Sequence, residues 1–392
     1  MNISESIHIR LKRLFKRIEL LLLKYQRSYL SFVFLFAITG YVLILVFPLL
    51  AYMASENTYK NLIDSQIINW QDTLIWFAIA MFAIMFCYRY LRYKPASPAG
   101  LTISAEKLPE IFKLVEKINQ HFKRPAIHRI IISTHYELDI IKTPRWALPV
   151  WSNNTLVIGL PLLLCFSPQQ FECMMGRRLG QFSKNHNIIT NWLYQLRASW
   201  KQYAFSYGKQ KYPDSMILKW LFSTYSFLYS ALSIYVVRTE ELNADSYAME
   251  LFNHEDIREM MTADAVYRHY LDTNFWPAVN KTALPIVNPH RKLSSIIHKI
   301  LQGDKLAVLT NKVFTTSPEW NSPYPSLQLR LEKIAHDTPY MPEQTDVTAA
   351  SQYLGKSQSI VIDLMDKLWL KQALLKRKKT SHKNNSKTSS QK

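Results

Sequence analysis

Glu241 and Asp245 are one helical turn apart and share a face, so both carboxylates can reach one cationic partner. A second cluster worth chemical attention is Gly176-Arg177-Arg178-Leu179-Gly180-Gln181, with two guanidiniums side by side. Arginine has no lone pair to offer a metal and keeps its charge, so this stretch repels a cation. A helical H-E-x-x-H would set two imidazoles on one zinc, with the Glu activating bound water. Only His254-Glu255 begins such a string here, and Arg258 fills the second ligand place. His186 lies nine residues past Arg177, which is about 180° round a helix, so it faces away. Cys173 is one turn before Arg177 and reads as a core thiol. The sequence therefore offers no set of catalytic zinc ligands.

Composition narrows the remaining classes. Glycine numbers only 8 in 392 residues, and neither G-x-x-x-x-G-K-[ST] nor G-x-G-x-x-G occurs, which excludes the usual phosphate-cradling loops. Cys87, Cys165 and Cys173 form no C-x-x-C pair, so free buried thiols are expected rather than a disulfide framework. The net charge of +19 is concentrated at the two ends. Arg10, Lys12, Arg13, Lys16, Arg17, Lys24 and Arg27 precede an apolar run, and seven more basic residues lie between Lys376 and Lys392. Such placement suits a membrane-facing arm and a solvated tail, and nucleic acid is not an expected partner.

Leu30–Met53 carries no charge in 24 residues, which at about 1.5 Å per residue exceeds the roughly 30 Å hydrocarbon core. Trp70–Leu91 forms a second candidate span. Basic flanks on both sides of the pair place both flanks in the cytoplasm and the short loop outside. Leu221–Val237 is 17 residues long and rich in Ser, Thr and Tyr, and reads as a buried or membrane-grazing helix. The organisation is then a basic arm (1–29), two transmembrane helices (30–94), a main cytosolic domain (95–345), a helical extension (346–375) and a disordered basic tail (376–392).

Within the main domain, Ala105–Phe122 has helical periodicity with Ser104 as N-cap, and His128–Ser133 and Thr155–Ile158 read as strands. Ser167-Pro168 opens a helix through the arginine pair, and another helix carries Glu241 and Asp245.

Taken in order, four segments resemble the HtpX-like, CAAX-protease-related zinc metallopeptidases. These are LPEIFKLVEKINQHFKRPAIHRIIIS, WALPVWSNNTLVIGLPLLLCFSPQQFECMM, VVRTEELNADSYAMELF and SPYPSLQLRLEKI. The resemblance covers roughly residues 95–340. It implies a mostly α fold with a small β-sheet (α+β, zincin-like), a zinc cofactor, and an edge strand along Trp146–Ile158 able to hold an extended peptide. Trp146, Ala147, Leu148 and Trp151 belong to that implied peptide-binding edge. The family's A-H-E-L-G-H falls on Gly176–Gln181, so Arg177 and Gln181 stand at the two ligand positions and Arg178 at the general base. Glu241 stands at the third-ligand position and Asp245 at a supporting one, while Tyr324 stands at a late histidine.

These departures imply an inactive peptidase without zinc, in which Arg177, with Gln181 beside it, pairs with Glu241 or Asp245. The expected function is binding or scaffolding in membrane protein quality control, at a bacterial inner membrane, with lipid and a peptide or protein as partners. Two other readings stand beside it: an active zinc metalloendopeptidase with non-standard ligands, and a basic adaptor at the membrane surface.

Overall fold

The structure is a computed structural model and describes residues 25–64, 69–91, 99–122, 127–144, 152–181, 188–208, 213–281, 288–300, 302–317, 322, 324–341 and 347–389. The chain is mostly helical with one small sheet. It divides into two compact units, one of Met1–Ala96, Lys142–Asn153 and Asn187–Val237, the other of Ser97–Ile141, Asn154–His186 and Arg238–Lys392. The expected arm through residue 24 and the edge residues Trp146, Ala147, Leu148 and Trp151 lie outside the described residues.

In the first unit, α1 (Gln26–Tyr59) and α2 (Trp70–Leu91) are long and apolar. Two stretches, Arg27–Ile63 and Trp70–Tyr90, have the length and hydropathy to cross a membrane. Helices α6 (Ile188–Gly208) and α7 (Pro213–Leu232) belong to the same unit. Its core is aromatic: Trp200 meets the rings of Tyr203, Phe222 and Tyr225 at centroid distances of 5.8, 5.8 and 4.7 Å. The segment expected to be one helix over 221–237 is broken. Helix α7 stops at Leu232, and α8 (Ile234–Ala248) leaves at 59°. Ser233 marks the bend, its hydroxyl donating back to the Tyr229 carbonyl at 2.6 Å.

In the second unit the sheet order is β1-β2-β4-β3, from β1 (Gly100–Ile103), β2 (Arg129–Ser133), β3 (Leu138–Pro144) and β4 (Ser152–Gly159). Strand β2 pairs antiparallel with β1 and parallel with β4. This corrects the expected edge strand. Thr155–Ile158 sits inside the sheet, with Leu156, Val157 and Ile158 all buried, as an unbroken apolar run demands. The edge beside it is β3, whose Asp139 and Lys142 interrupt the apolar pattern and hid it from the sequence reading.

Helix α3 (Pro109–His121) begins five residues after Ser104, not at it. Residues 105–107 make a turn on the Ser104 carbonyl, and Pro109, which has no N–H to leave unsatisfied, takes the first helical turn. After α4 (Leu160–Cys165), α5 (Pro168–Gly180) starts at Ser167 as expected. Ser167 accepts from Gln170 N at 3.2 Å while Gln170 accepts from Ser167 N at 3.1 Å, a reciprocal capping box.

The remaining helices are α9 (His254–Tyr270), α10 (Trp276–Lys281), α11 (Pro289–Ile300), α12 (Gly303–Thr315), α13 (Leu327–Lys333), α14 (Ala349–Leu354) and α15 (Gln358–Ser389). Asp366 on α15 is buried and takes hydrogen bonds from the His290 ring at 2.7 Å and the His290 backbone N at 2.8 Å. The region read as a C-terminal extension is therefore tied into this unit. Helical backbone continues through Ser389, into the stretch for which the sequence predicts disorder.

Candidate functional site

The site is built on α5, α8, α9 and α13. Helix α5 is buried along most of its length, and its glycines let neighbours come close. A Cβ on Gly180 would lie 2.7 Å from Tyr247 Cβ of α8, so glycine is needed where these two helices approach. That approach brings Arg177 of α5 to the acids of α8.

Arg177 donates from Nε to Asp245 Oδ1 at 2.6 Å and from Nη2 to Glu241 Oε2 at 2.7 Å. A further bond from Nη2 reaches the Glu241 carbonyl at 3.0 Å. Arg177 thus pairs with both acids rather than one. Gln181 is not its companion: Arg178 donates to Gln181 Oε1 at 2.7 Å and to Glu241 Oε1 at 3.3 Å. A third guanidinium, Arg330 of α13, holds Asp245 bidentately, Nε to Oδ2 at 2.9 Å and Nη2 to Oδ1 at 2.8 Å. Asp264 of α9 extends the array. It accepts from Arg268 at 3.1 Å and from the Tyr136 hydroxyl at 3.2 Å, with Arg330 3.9 Å away. Arg268 lies between the rings of Tyr136 and Tyr324, 5.1 and 5.3 Å from their centroids.

Arg177, Glu241 and Asp245 are at most 4% exposed. Burial alone would raise the Asp245 carboxyl, but Arg330 and Arg177 more than offset it and hold the group below its ordinary range. The same balance, with Arg268 and Arg330 as the cations, holds Asp264 low. Asp139 on β3 goes the other way, its carboxyl raised by burial despite Arg178. Burial also pushes the Cys173 thiol well up. A cavity of about 110 Å³ opens beside the array, lined by Glu137, Asp139, Arg178, Glu241, Arg268 and Tyr324 among others.

Chemically the arrangement is a saturated ion network. Each of the four carboxylate oxygens of Glu241 and Asp245 accepts from a guanidinium. Zinc needs imidazole, thiolate or carboxylate lone pairs, and guanidiniums supply none. The residues at this place do not fit zinc, and among the described residues no cluster of three or more His, Cys, Asp or Glu is arranged for a metal ion.

The sequence brought Arg177, Arg178, Gln181, Glu241 and Asp245 into view, and the structure gathers all five. It missed Asp264, Arg268, Asp139 and the role of Arg330. Asp264 and Arg268 stand at i and i+4 on one helix, a spacing that could have drawn attention to them.

Comparison with known proteins agrees with this architecture at one level. No curated protein and no solved structure matches the chain. The family model of peptidase family M48 matches residues 115–338, more than half of the sequence and a span holding every residue of the ion network. The chain belongs to peptidase family M48.

Proposed function

We propose that this chain is a membrane-anchored M48 protein that does not carry out zinc-dependent peptide hydrolysis and acts by binding or scaffolding in membrane protein quality control. Its fold is the zincin-like arrangement with an altered centre, of the HtpX-like type. The observation that carries the proposal is the saturation of Glu241 and Asp245 by Arg177, Arg178 and Arg330. In the HtpX-like motif Arg177 and Gln181 occupy histidine positions and Arg178 the general base. The guanidinium of Arg177 then provides, at the third-ligand carboxylate, the positive charge that a metal provides in active relatives.

Both helices α1 and α2 cross the bilayer, with the main domain and both termini on the cytosolic side, following the basic flanks. The surface suited to an extended peptide is the edge strand β3. Its Leu138 and Asp139 line the cavity, and among the described residues no strand pairs with its other side, which leaves that side for strand addition.

The test is metal analysis of the purified full-length chain in detergent after exposure to zinc, with cleavage of an unfolded protein followed alongside. Neither stoichiometric zinc nor chelator-sensitive cleavage is expected. One zinc per chain, lost in Glu241→Ala together with cleavage, would overturn the proposal and restore a peptidase with unusual ligands.

A further inference from the structure

Arg268 lines two cavities, the one beside the ion network and a larger, more open one of about 290 Å³. The rest of the second wall comes mainly from Asp272, from Trp276 and Asn280 of α10, from Trp369 of α15 and from His135 between β2 and β3. Arg268, Asp272, Trp276 and Asn280 follow one another at intervals of four. In an unbroken α-helix, at about 100° per residue, Asn280 would come to lie about 120° round from Arg268. Here a π-helical turn, Leu271–Phe275, joins α9 to α10, and Trp276 N bonds to the Leu271 carbonyl. A π turn needs more than four residues to come round, so it takes back part of that rotation. All four side chains thereby reach one cavity. Single π turns of this kind are frequent at functional sites.

The two cavities differ in what their polar groups are doing. Beside the ion network the carboxylates of Glu241 and Asp245 are saturated by guanidiniums. In the second cavity the Asp272 carboxylate, the Asn280 carboxamide, the His135 ring and the indole N–H groups of Trp276 and Trp369 are unengaged. Among the described residues they take part in no hydrogen bond or ion pair. The two half-buried indoles lie within 21° of parallel, with ring centroids 6.4 Å apart. Trp276 also meets the buried His290 ring edge to face at 5.9 Å, which helps to fix its plane.

Arg268 and Asp272 put one charge of each sign on the wall, so neither a cation nor an anion is favoured. Flat aromatic faces beside convergent free donors and acceptors fit a neutral molecule with an apolar face and many hydroxyls. A pyranose ring has that build. Its C–H bonds gather on one face, where the negative face of an indole attracts them, and its hydroxyls radiate from the edge. A carboxylate can accept from two neighbouring hydroxyls, and a carboxamide can accept from one while donating to the next. We infer that this cavity binds an uncharged pyranose sugar, with Trp276 and Trp369 as the stacking wall and Asp272 and Asn280 holding hydroxyls. The inference does not rest on the function proposed for the ion network.

The test uses the full-length chain in lauryldimethylamine oxide, a detergent without sugar, and saturation-transfer NMR with the methyl glycosides of glucose, galactose and mannose. Transfer to the ring C–H protons of at least one glycoside is expected. Asp272 and Asn280 are exposed, so Asp272→Ala and Asn280→Ala should each melt as wild type does and bind that glycoside about tenfold more weakly. Trp276→Ala should abolish the transfer. Transfer to none of the three glycosides overturns the inference, as does transfer untouched by Asp272→Ala, Asn280→Ala and Trp276→Ala alike. Adenosine tests the competing occupant. Transfer to its base protons that no glycoside displaces, and that Trp276→Ala removes, assigns the indole wall to a nucleobase and overturns sugar binding.

Discussion

The two units solve the problem of buried polar atoms in opposite ways. In the first, rings pack on rings around Trp200, and polar tips such as the Tyr225 and Tyr229 hydroxyls end on backbone carbonyls. In the second, the centre is ionic, with Arg177, Arg178 and Arg330 closing on Glu241 and Asp245. Ring packing is divisible, since each contact is small and non-directional and its loss is felt locally. An ion network is not, because removing one charge leaves its partners buried and uncompensated. The second unit therefore depends on a few residues and the first on many.

The largest effect should follow Asp245→Asn. Asp245 is fully buried and accepts from two guanidiniums, so the neutral amide leaves Arg177 and Arg330 facing no full charge at this point. The expected loss is about 3–5 kcal/mol in the second unit. Cys165 and Cys173 are buried there, and their maleimide labelling should accelerate on gentle warming. Cys87 reports on the first unit and should be unaffected at the same temperatures. Labelling of Cys165 and Cys173 at the wild-type rate would mean that the network contributes little.

The same carboxylates set an acid limb. Asp245 and Asp264 are held below their ordinary range in the folded chain, so their contribution is whole above the unfolded value of about 3.9. It is lost as pH falls through the lowered folded value. Asp139, held high, works in the opposite sense: its contribution is present in acid and lost as pH rises past the unfolded value. Melting followed by circular dichroism should therefore show wild type losing stability in acid faster than Asp245→Asn. Parallel acid limbs for the two proteins would sever the link to Asp245.

A smaller effect, confined to the first unit, is expected of Gly40→Leu. Trp200 and Tyr225 crowd the place of its Cβ, and overpacking of this kind costs typically 1–3 kcal/mol. Here the labelling pattern should invert, with Cys87 faster and Cys165 and Cys173 unchanged. Equal acceleration at all three thiols would show that the two units unfold together.

How far this contrast could be read from the residues depends on the range of the interactions. Ser167-Pro168 announces α5 because capping is settled within four residues. The two long helices follow from the lengths of their apolar runs. Arg177 meeting Glu241 and Asp245 came through the HtpX-like resemblance, since spacing alone cannot join residues 64 and 68 positions apart. Arg330 bonds to Asp245 across 85 positions; its segment SPYPSLQLRLEKI drew notice through the resemblance, but nothing local names Asp245 as its partner. Strands β1 and β3 lie at the sheet edges, where one face or one backbone side is unconstrained and alternation is weak. The break at Ser233 was invisible for a related reason, because a hydroxyl bonding back to the preceding turn is compatible with straight and bent helices alike.

The smallest expected effect separates the ion network from the helix that presents it. Ser167→Ala removes one half of the capping box but leaves every ion pair of Arg177 and Arg178 in place. A lost cap costs about 1 kcal/mol, against about 3–5 kcal/mol for a broken buried pair. If α5 is held mainly by its charges, Ser167→Ala should shift the Cys173 labelling transition by only a few degrees. Combined with Asp245→Asn, the two losses should add, since Ser167 sits ten residues and nearly three turns before Arg177. A combined loss well above the sum would mean that the cap and the network hold α5 as one element, and the sharp division between local and ionic contributions would fail.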